Sequence, residues 1–185
     1  MNRIAKALKW GASALRVLRV RIVAGNRLKI ASGKPLYLGK GTRLILGEGA
    51  SLSIGAGVYL SPECIVQVNK GATLVLEDGV YMNEGCRVTV VESARIGADT
   101  LLGPNVQIYD HDHEFDRRGG VSSKLLHAPV SIGHRCWLCA NTVVTRGCTI
   151  ACCSLVSANS VVTRDLNEAG ALYAGAPARL IKRYD

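Results

Sequence analysis

Aliphatic residues recur at every sixth position over long stretches of this chain of 185 residues. The longest series is unbroken, and three shorter ones share its spacing: Ile132, Leu138, Val144, Ile150, Val156, Val162; Ile54, Leu60, Val66; Leu76, Met82, Val88; and Ile96, Leu102, Ile108. An α-helix repeats about every 3.6 residues and a half-buried strand every second residue, so neither explains the pattern. The spacing predicts a parallel β-helix, in which each hexapeptide forms one side of a triangular coil and three of them close a turn of about 18 residues.

Other positions of the hexapeptide support this interpretation. Gly follows the aliphatic residue at positions 55, 97, 103 and 133, where we expect the corner to need an unusual backbone angle. The fifth position carries a small side chain that is predicted to point inward: Val58, Cys64, Val80, Cys86, Thr100, Val106, Cys136, Thr142, Cys148, Ser154 and Ser160. Extra residues around 69–71 and 92–93 are expected to form bulged corners.

The pattern indicates one domain with three segments. We expect a basic amphipathic segment at 1–34, the β-helix at 35–166 and a C-terminal tail at 167–185. One long insertion interrupts the repeat at 109–129, and loops of that length in compact proteins are often functional.

The seven cysteines do not predict a metal site or a disulfide framework. Four of them fall on the small inward position, where a thiol behaves as a compact apolar residue. Cys136 and Cys139 form a single CxxC, and Cys152 and Cys153 are adjacent, but no second CxxC completes a zinc site. Unpaired thiols at buried positions suit a reducing cytoplasm.

Positive charge is concentrated in the first quarter of the chain. Eleven Lys or Arg residues precede the first acidic residue, Glu48, whereas the rest of the chain holds 12 basic and 14 acidic residues. On a helical projection five apolar residues share one narrow face: Ile4, Leu8, Leu15, Leu18 and Ile22. Two interpretations remain open, a helix attracted to anionic lipid and a helix that caps the open end of the β-helix. Frequent charges argue against a secretory signal, no run reaches transmembrane length, and few aromatic residues disfavour nucleic-acid binding.

The insertion holds the residues that are best suited to catalysis. Three of the four histidines lie between positions 111 and 127, beside several carboxylates. Histidine suits proton transfer near neutral pH, and a neighbouring carboxylate could fix its tautomer. The alternative is a solvated polar loop with no catalytic role.

Around this loop the sequence resembles a known family. The segments 129–138 (PVSIGHRCWL), 158–165 (ANSVVTRD) and 174–181 (AGAPARLI) follow the His-bearing loop as in the left-handed β-helix O-acetyltransferases, in particular their maltose/galactoside acetyltransferase-like branch. The resemblance covers about residues 76–183. It implies an all-β, left-handed parallel β-helix with a short N-terminal helix and a long active-site loop. It also implies acetyl-CoA as acyl donor, no metal, and a homotrimer with the cofactor between two subunits.

The resemblance also implies roles for individual residues. Counting from the segment 104–106 (PNV) places the family's catalytic histidine at His113, with His111 as its rival, although Glu114 replaces the family's proline. The implied substrate-binding residues are Asn83 and Asp110. The implied cofactor-binding residues are Trp137, Ala140, Ala158, Thr163, Arg164, Arg179 and Lys182. The N-terminal quarter does not resemble the sugar acetyltransferases, which leaves the acceptor open.

The expected function is therefore acetyl transfer to a sugar hydroxyl, with a surface-polysaccharide precursor as the favoured acceptor and N-acetylation of an amino sugar still open. His113 would take the hydroxyl proton during direct attack on the thioester, and the N–H of Ala140 would stabilise the oxyanion. The expected location is the cytoplasm, with the basic N-terminus as a candidate contact to the inner membrane face. Two alternatives are a zinc enzyme like the γ-class carbonic anhydrases, using His111, His113, His127 and His134, and a non-catalytic scaffold.

Overall fold

The computed structural model describes residues 3–184, in which one α-helix is followed by short strands. Helix α1 spans Arg3–Ala24, and a single 3-10 turn follows at Gly25–Arg27. The strands before the insertion are β1 (Leu28–Ile30), β2 (Tyr37–Leu38), β3 (Arg43–Leu46), β4 (Ser51–Ile54), β5 (Tyr59–Leu60), β6 (Ile65–Val68), β7 (Thr73–Leu76), β8 (Tyr81–Met82), β9 (Arg87–Val90), β10 (Ser93–Ile96), β11 (Leu101–Leu102) and β12 (Gln107–Tyr109). The later strands are β13 (His111–Asp116), β14 (Gly120–His127), β15 (Val130–Ile132), β16 (Trp137–Leu138), β17 (Val143–Val144), β18 (Thr149–Ile150), β19 (Leu155–Val156), β20 (Val161–Val162), β21 (Ala171–Ala174) and β22 (Arg179–Arg183).

Three sheets form the sides of a prism. Side A contains β1, β4, β7, β10, β15 and β18; side B contains β2, β5, β8, β11, β16, β19, β21 and β22; side C contains β3, β6, β9, β12, β17 and β20. The chain visits the sides in the order A, B, C, and each strand pairs with the strand one coil later. Within these three sheets all pairs are parallel except β21 with β22. The predicted parallel β-helix is confirmed.

Buried ladders fill the inside of the prism. The aliphatic residues of the sixfold series and all eleven small residues of the fifth position are buried, as predicted. The corner glycines are needed for a reason other than the predicted one, because none of the four has a positive φ. A Cβ at Gly97 would lie 2.5 Å from the backbone carbon of Gly133, and a Cβ at Gly103 would lie 2.8 Å from the nitrogen of Ala140. These glycines therefore allow successive coils to approach closely.

The coils differ in length along the prism. Ser131 pairs with Thr149, so the coil between them consists of three hexapeptides, as predicted. Leu52, however, pairs with Leu74, and Leu74 pairs with Ala94, so both of these coils are longer than three hexapeptides. The extra residues lengthen the early strands of sides A and C from two residues to four, where we had expected bulged corners. Adding two residues at a time keeps the same side chains facing inward, so the core is preserved.

Helix α1 caps the open end of the first coil. The Oγ of Ser13 accepts a hydrogen bond from the N–H of Leu38 at 2.8 Å, and Arg16 Nε donates to the Leu38 carbonyl at 2.8 Å. Arg27 Nη1 donates to the carbonyl of Leu46 at 2.9 Å. These bonds satisfy backbone groups that an uncovered sheet edge would leave open. The capping interpretation is therefore supported, but the five apolar residues that share one face do not make these contacts.

The stacked strands extend past the expected bounds at both ends. Strand β1 pairs with β4 ahead of position 35, and β21 and β22 continue side B beyond position 166. Residues 1, 2 and 185 of the expected terminal segments lie outside the described residues. Within residues 3–184, no helix combines the length and apolarity needed to cross a membrane.

Candidate active site

The insertion folds as a β-hairpin at the edge between sides C and A. Strands β13 and β14 pair antiparallel between the end of β12 on side C and the start of β15 on side A. At its tip the Oδ1 of Asp116 accepts hydrogen bonds from the N–H groups of Gly119 (2.6 Å) and Arg118 (2.7 Å), which hold the pKa of Asp116 below its usual value. Arg146 Nε donates to Asp112 Oδ2 at 2.8 Å and ties the hairpin to the next coil.

The carboxylate of Asp110 lies fully buried at the base of the hairpin. It accepts hydrogen bonds from the N–H of Val91 at 2.9 and 3.1 Å and from the N–H of Glu92 at 2.7 Å. Its Oδ1 lies 3.0 Å from Nδ1 of His111. Both carboxylate oxygens are therefore engaged inside the protein. This geometry gives Asp110 the means to hold His111, whereas the family resemblance implies a role in substrate binding.

His111 and His113 are two residues apart on β13 and therefore point to the same face of the hairpin. Nδ1 of His111 faces Asp110, and Nδ1 of His113 lies 3.3 Å from the carbonyl oxygen of Ser122. His111 is largely shielded and His113 is exposed. Within residues 3–184, no hydrogen bond reaches Nε2 of either ring, so Nε2 is the nitrogen available for proton transfer.

A second histidine–carboxylate pair, which the sequence analysis did not identify, lies beside the first. His127 on β14 is directly opposite His111, and its Nδ1 lies 2.7 Å from Oε2 of Glu92. Glu92 belongs to the corner that Asp110 caps. The sequence does not reveal this pair, because the register of the hairpin that places His127 opposite His111 cannot be read from it.

The expected substrate and oxyanion groups lie along a different edge, between sides B and C. Asn83, Ala140 and Ala158 occupy corners that follow β8, β16 and β19. Among the hydrogen bonds of the described residues, none uses the N–H of Ala140, as an oxyanion donor requires.

The same edge carries a ladder of asparagines that the sequence analysis missed. Asn105 Nδ2 donates to Asn141 Oδ1 at 3.3 Å, and Asn141 Nδ2 donates to Asn159 Oδ1 at 3.1 Å. All three have a positive φ, which asparagine tolerates better than most residues. The sequence does carry a signal for this ladder, because each asparagine lies three residues after an aliphatic residue of the sixfold series.

Side B carries an outward-facing row that leads away from Trp137. Strand pairing aligns Trp137 with Leu155, Leu172 and Lys182. Trp137 is 49% exposed, and the row spans three strand spacings, about 14 Å. Arg179 lies on the same final strand, opposite Ala174.

The expected site residues thus fall into two groups in one chain. Thr163 and Arg164 follow β20 at the C–A edge, two coils beyond the hairpin with His111 and His113. The B–C edge and side B carry the remainder: Asn83, Trp137, Ala140, Ala158, Arg179 and Lys182. Side C separates the two groups, so a single chain does not bring the histidines to the expected cofactor residues of side B and the B–C edge.

Residues 3–184 contain no cluster of three or more His, Cys, Asp or Glu side chains arranged to hold a metal ion. His134 lies in an A–B corner, away from the three histidines of the hairpin. Burial raises the pKa of the Cys136 thiol to about 11 and raises that of Cys148, so both thiols are protonated at neutral pH.

No family model matches the chain. Over 104 residues it is 38% identical to WbbJ of Escherichia coli, a provisionally named lipopolysaccharide biosynthesis O-acetyl transferase, and the match covers 51% of this chain and 53% of that protein. The chain spans about half the length of the curated relatives it matches.

Solved structures match over more of the chain. A maltose O-acetyltransferase from Clostridium difficile has a TM-score of 0.56 at 26% identity, over 78% of this chain and 70% of that one. The chain resembles the hexapeptide-repeat O-acetyltransferases. AntD, an N-acyltransferase from Bacillus cereus solved with dTDP and coenzyme A, has a TM-score of 0.76 over 91% of this chain and 89% of that one. Its identity is 15%, so this likeness concerns the fold.

Proposed function

We propose that the protein transfers an acetyl group from acetyl-CoA to a hydroxyl of a saccharide. The observation that carries the proposal is the hairpin face on which His111 and His113 each have Nδ1 engaged and Nε2 available. A sugar hydroxyl is a weak nucleophile, and a neutral imidazole is the side chain suited to remove its proton near pH 7. The name of WbbJ and the likeness to the maltose O-acetyltransferase support acetyl transfer over other chemistry.

Acetyl-CoA would lie along side B and the B–C edge. The exposed ring of Trp137 and the apolar row beside it suit the pantetheine arm, and Arg179 and Lys182 suit the phosphates. The N–H of Ala140 would stabilise the oxyanion of the tetrahedral intermediate. Ala158 lies one coil further along the same edge.

The complete site would form between copies in a homotrimer. Because side C separates the hairpin from the cofactor row of its own chain, the hairpin would serve the B–C edge of a neighbouring copy. This contact joins two different surfaces, and such heterologous contacts close into a ring when the rotation permits. Thr163 and Arg164, on the hairpin edge, would then face cofactor bound to the neighbour.

The proposed base is His113, and transfer is direct. Its Nε2 takes the hydroxyl proton while the oxygen attacks the thioester carbonyl carbon. The tetrahedral intermediate then collapses, the C–S bond breaks, and the leaving thiolate receives the proton from His113. His111 is the rival base, because the contact of its Nδ1 with Asp110 fixes the ring and leaves Nε2 for proton transfer. Protonated buried thiols such as Cys136 suit a mechanism without an acyl-enzyme.

The test is release of coenzyme A from acetyl-CoA, measured across free, nucleotide-linked and lipid-linked sugars. We expect one acceptor class to drive release and His113→Ala to lower kcat by about 10²–10⁴. His134→Ala, at a different edge, is the matched control and should retain activity. Loss confined to His111→Ala would move the base to His111.

Three results would contradict the larger proposal. No turnover together with no acetyl-CoA binding by calorimetry would remove the cofactor site. Loss of activity on chelation and its recovery with zinc would favour the carbonic-anhydrase-like alternative. A monomer by analytical ultracentrifugation at assay concentration, if active, would contradict a site shared between copies.

The proposed acceptor is a precursor of a surface polysaccharide, processed on the cytoplasmic side of the membrane. The name of WbbJ, with lipopolysaccharide biosynthesis in it, supports this class over small soluble sugars.

A further inference from the structure

Helix α1 has two different working faces. One face packs on the first coil, where Ser13 and Arg16 bond to Leu38 and the ring of Trp10 meets Tyr37 edge-on with centroids 5.1 Å apart. Lys9 Nζ donates to the hydroxyl of Tyr59 at 2.7 Å on the same side. The end of the prism is therefore capped by residues other than the apolar stripe of α1, the five aliphatic residues that share one face of the helix.

Most of that stripe points away from the β-helix, and Leu18 at its margin also borders a groove between α1 and residues 30–36. Five aliphatic side chains fall within about 40° of one line along the helix, opposite the capping face, and each is more than half exposed: Ile4 (71%), Leu8 (70%), Leu15 (65%), Leu18 (54%) and Ile22 (74%). A row of exposed aliphatic residues over five turns, interrupted by Gly11 between Leu8 and Leu15, marks an interaction surface, because a solvated helix face is normally polar.

The charge around the stripe identifies the kind of partner. Arg19 and Arg21 are exposed and flank the stripe, about 60° to one side and about 100° to the other. No acidic residue precedes Glu48 in the sequence. Two copies of this uniformly positive helix would repel each other, whereas an anionic surface would attract it. An apolar stripe bordered by arginines fits the headgroup boundary of an anionic bilayer, where guanidinium groups meet phosphates.

We propose that the outer face of helix α1 binds an anionic lipid surface while its inner face caps the fold. The helix then lies in the membrane interface, and the coils extend from it into solution. The hairpin leaves the fourth coil, three coil spacings or about 14 Å from the capped end, and the helix adds about 10 Å. A saccharide carried on a lipid would be presented at that height. Lipid binding itself does not depend on the proposed acetyl transfer.

The experiment is flotation of the full chain with vesicles, without acetyl-CoA. Vesicles of phosphatidylcholine alone are compared with vesicles that contain about one third phosphatidylglycerol. We expect binding to the anionic vesicles only, and weaker binding when salt is raised from about 0.1 M to 0.5 M. The variant Leu8→Gln/Leu15→Gln should lose about tenfold or more in affinity, because two leucines no longer enter the apolar layer.

Two controls separate lipid binding from folding and assembly. The variant Ile45→Gln replaces an exposed aliphatic residue on side C and should bind vesicles like the wild type. The thermal midpoint of Leu8→Gln/Leu15→Gln should stay within about 2 °C of the wild type, since neither leucine contributes to the cap. Absence of binding to anionic vesicles would overturn the proposal. So would unchanged vesicle binding by the double variant, or a smaller oligomer for it by light scattering, which would assign the stripe to a contact between copies.

Discussion

Replacing Asp110 by Asn should destabilise the fold far more than the same change two residues away. The buried carboxylate accepts hydrogen bonds from Val91 and Glu92 and faces His111, with all distances between 2.7 and 3.1 Å. The Asn variant keeps one oxygen but turns an N–H₂ group toward backbone donors. Since a hydrogen bond to a charged group contributes about 1.5–3 kcal/mol and a buried unpaired donor costs about 1–3, we expect a loss of about 2–4 kcal/mol. For a chain of this size, that is a fall in thermal midpoint of about 4–16 °C.

The matched control is Asp112→Asn on the same hairpin. Asp112 is about half exposed, and its interaction with Arg146 is a surface salt bridge worth about 0–1 kcal/mol. Both variants are followed by circular dichroism at one protein concentration, because self-association would make the midpoint depend on concentration. If the two variants shift the midpoint equally, the carboxylate of Asp110 does not organise the corner, and its proposed hold on His111 loses its basis.

Two further predictions concern packing and thiol reactivity. Gly103→Ala should lower the free energy of unfolding by about 1–3 kcal/mol, because its Cβ would lie 2.8 Å from the nitrogen of Ala140. The loss is measured as a fall in the thermal midpoint. Gly11→Ala, with nothing within 4 Å, should be neutral or stabilising, and equal losses would contradict the close-approach argument. At pH 8, iodoacetamide should label exposed Cys153 before Cys136, since burial raises the Cys136 pKa to about 11 and leaves about one thiolate in a thousand. Mass spectrometry checks the order, and equal rates in the folded protein would contradict it.

The β-helix could be predicted because its buried core residues recur at a fixed spacing along the sequence. The series from Ile132 to Val162 falls in coils of three hexapeptides each, so the period of six is uninterrupted there. In the earlier coils, strands of four residues on two sides shift the next aliphatic residue by two positions. Only short runs of the period remain there, and the prediction that the extra residues form bulged corners is wrong. Because side chains alternate along a strand, a two-residue insertion keeps the same side chains buried. The insertion nevertheless breaks the sixfold spacing by which the core is recognised in the sequence.

In helix α1 the apolar pattern is clear, but it does not identify the face that packs on the β-helix. Its strongest apolar face, from Ile4 to Ile22, is exposed, while Ser13 and Arg16 make the cap. An edge strand offers unpaired N–H and C=O groups, and these are satisfied by polar side chains that hydrophobic periodicity does not register. Hydrophobic periodicity therefore predicts a helix and its two candidate roles, but it does not show which face of the helix performs which role.

The candidate catalytic residues lie where the chain departs from the hexapeptide repeat. Two such departures, the short corner at 91–92 and the hairpin after β12, are connected through Asp110. The corner at 91–92 has two residues, where the corner at 69–72 has four, so the N–H groups of Val91 and Glu92 need partners from outside the corner. Asp110 supplies them, because the chain passes the same edge one coil later, at the point where the hairpin begins. The shortened corner thereby fixes the base of the hairpin, orients His111 through Asp110, and places Glu92 beside His127. The four-residue corner at 69–72 instead makes a hydrogen bond within itself, from the N–H of Ala72 to the carbonyl of Asn69 at 3.1 Å. We therefore expect the short corner and the histidine-bearing hairpin to depend on each other.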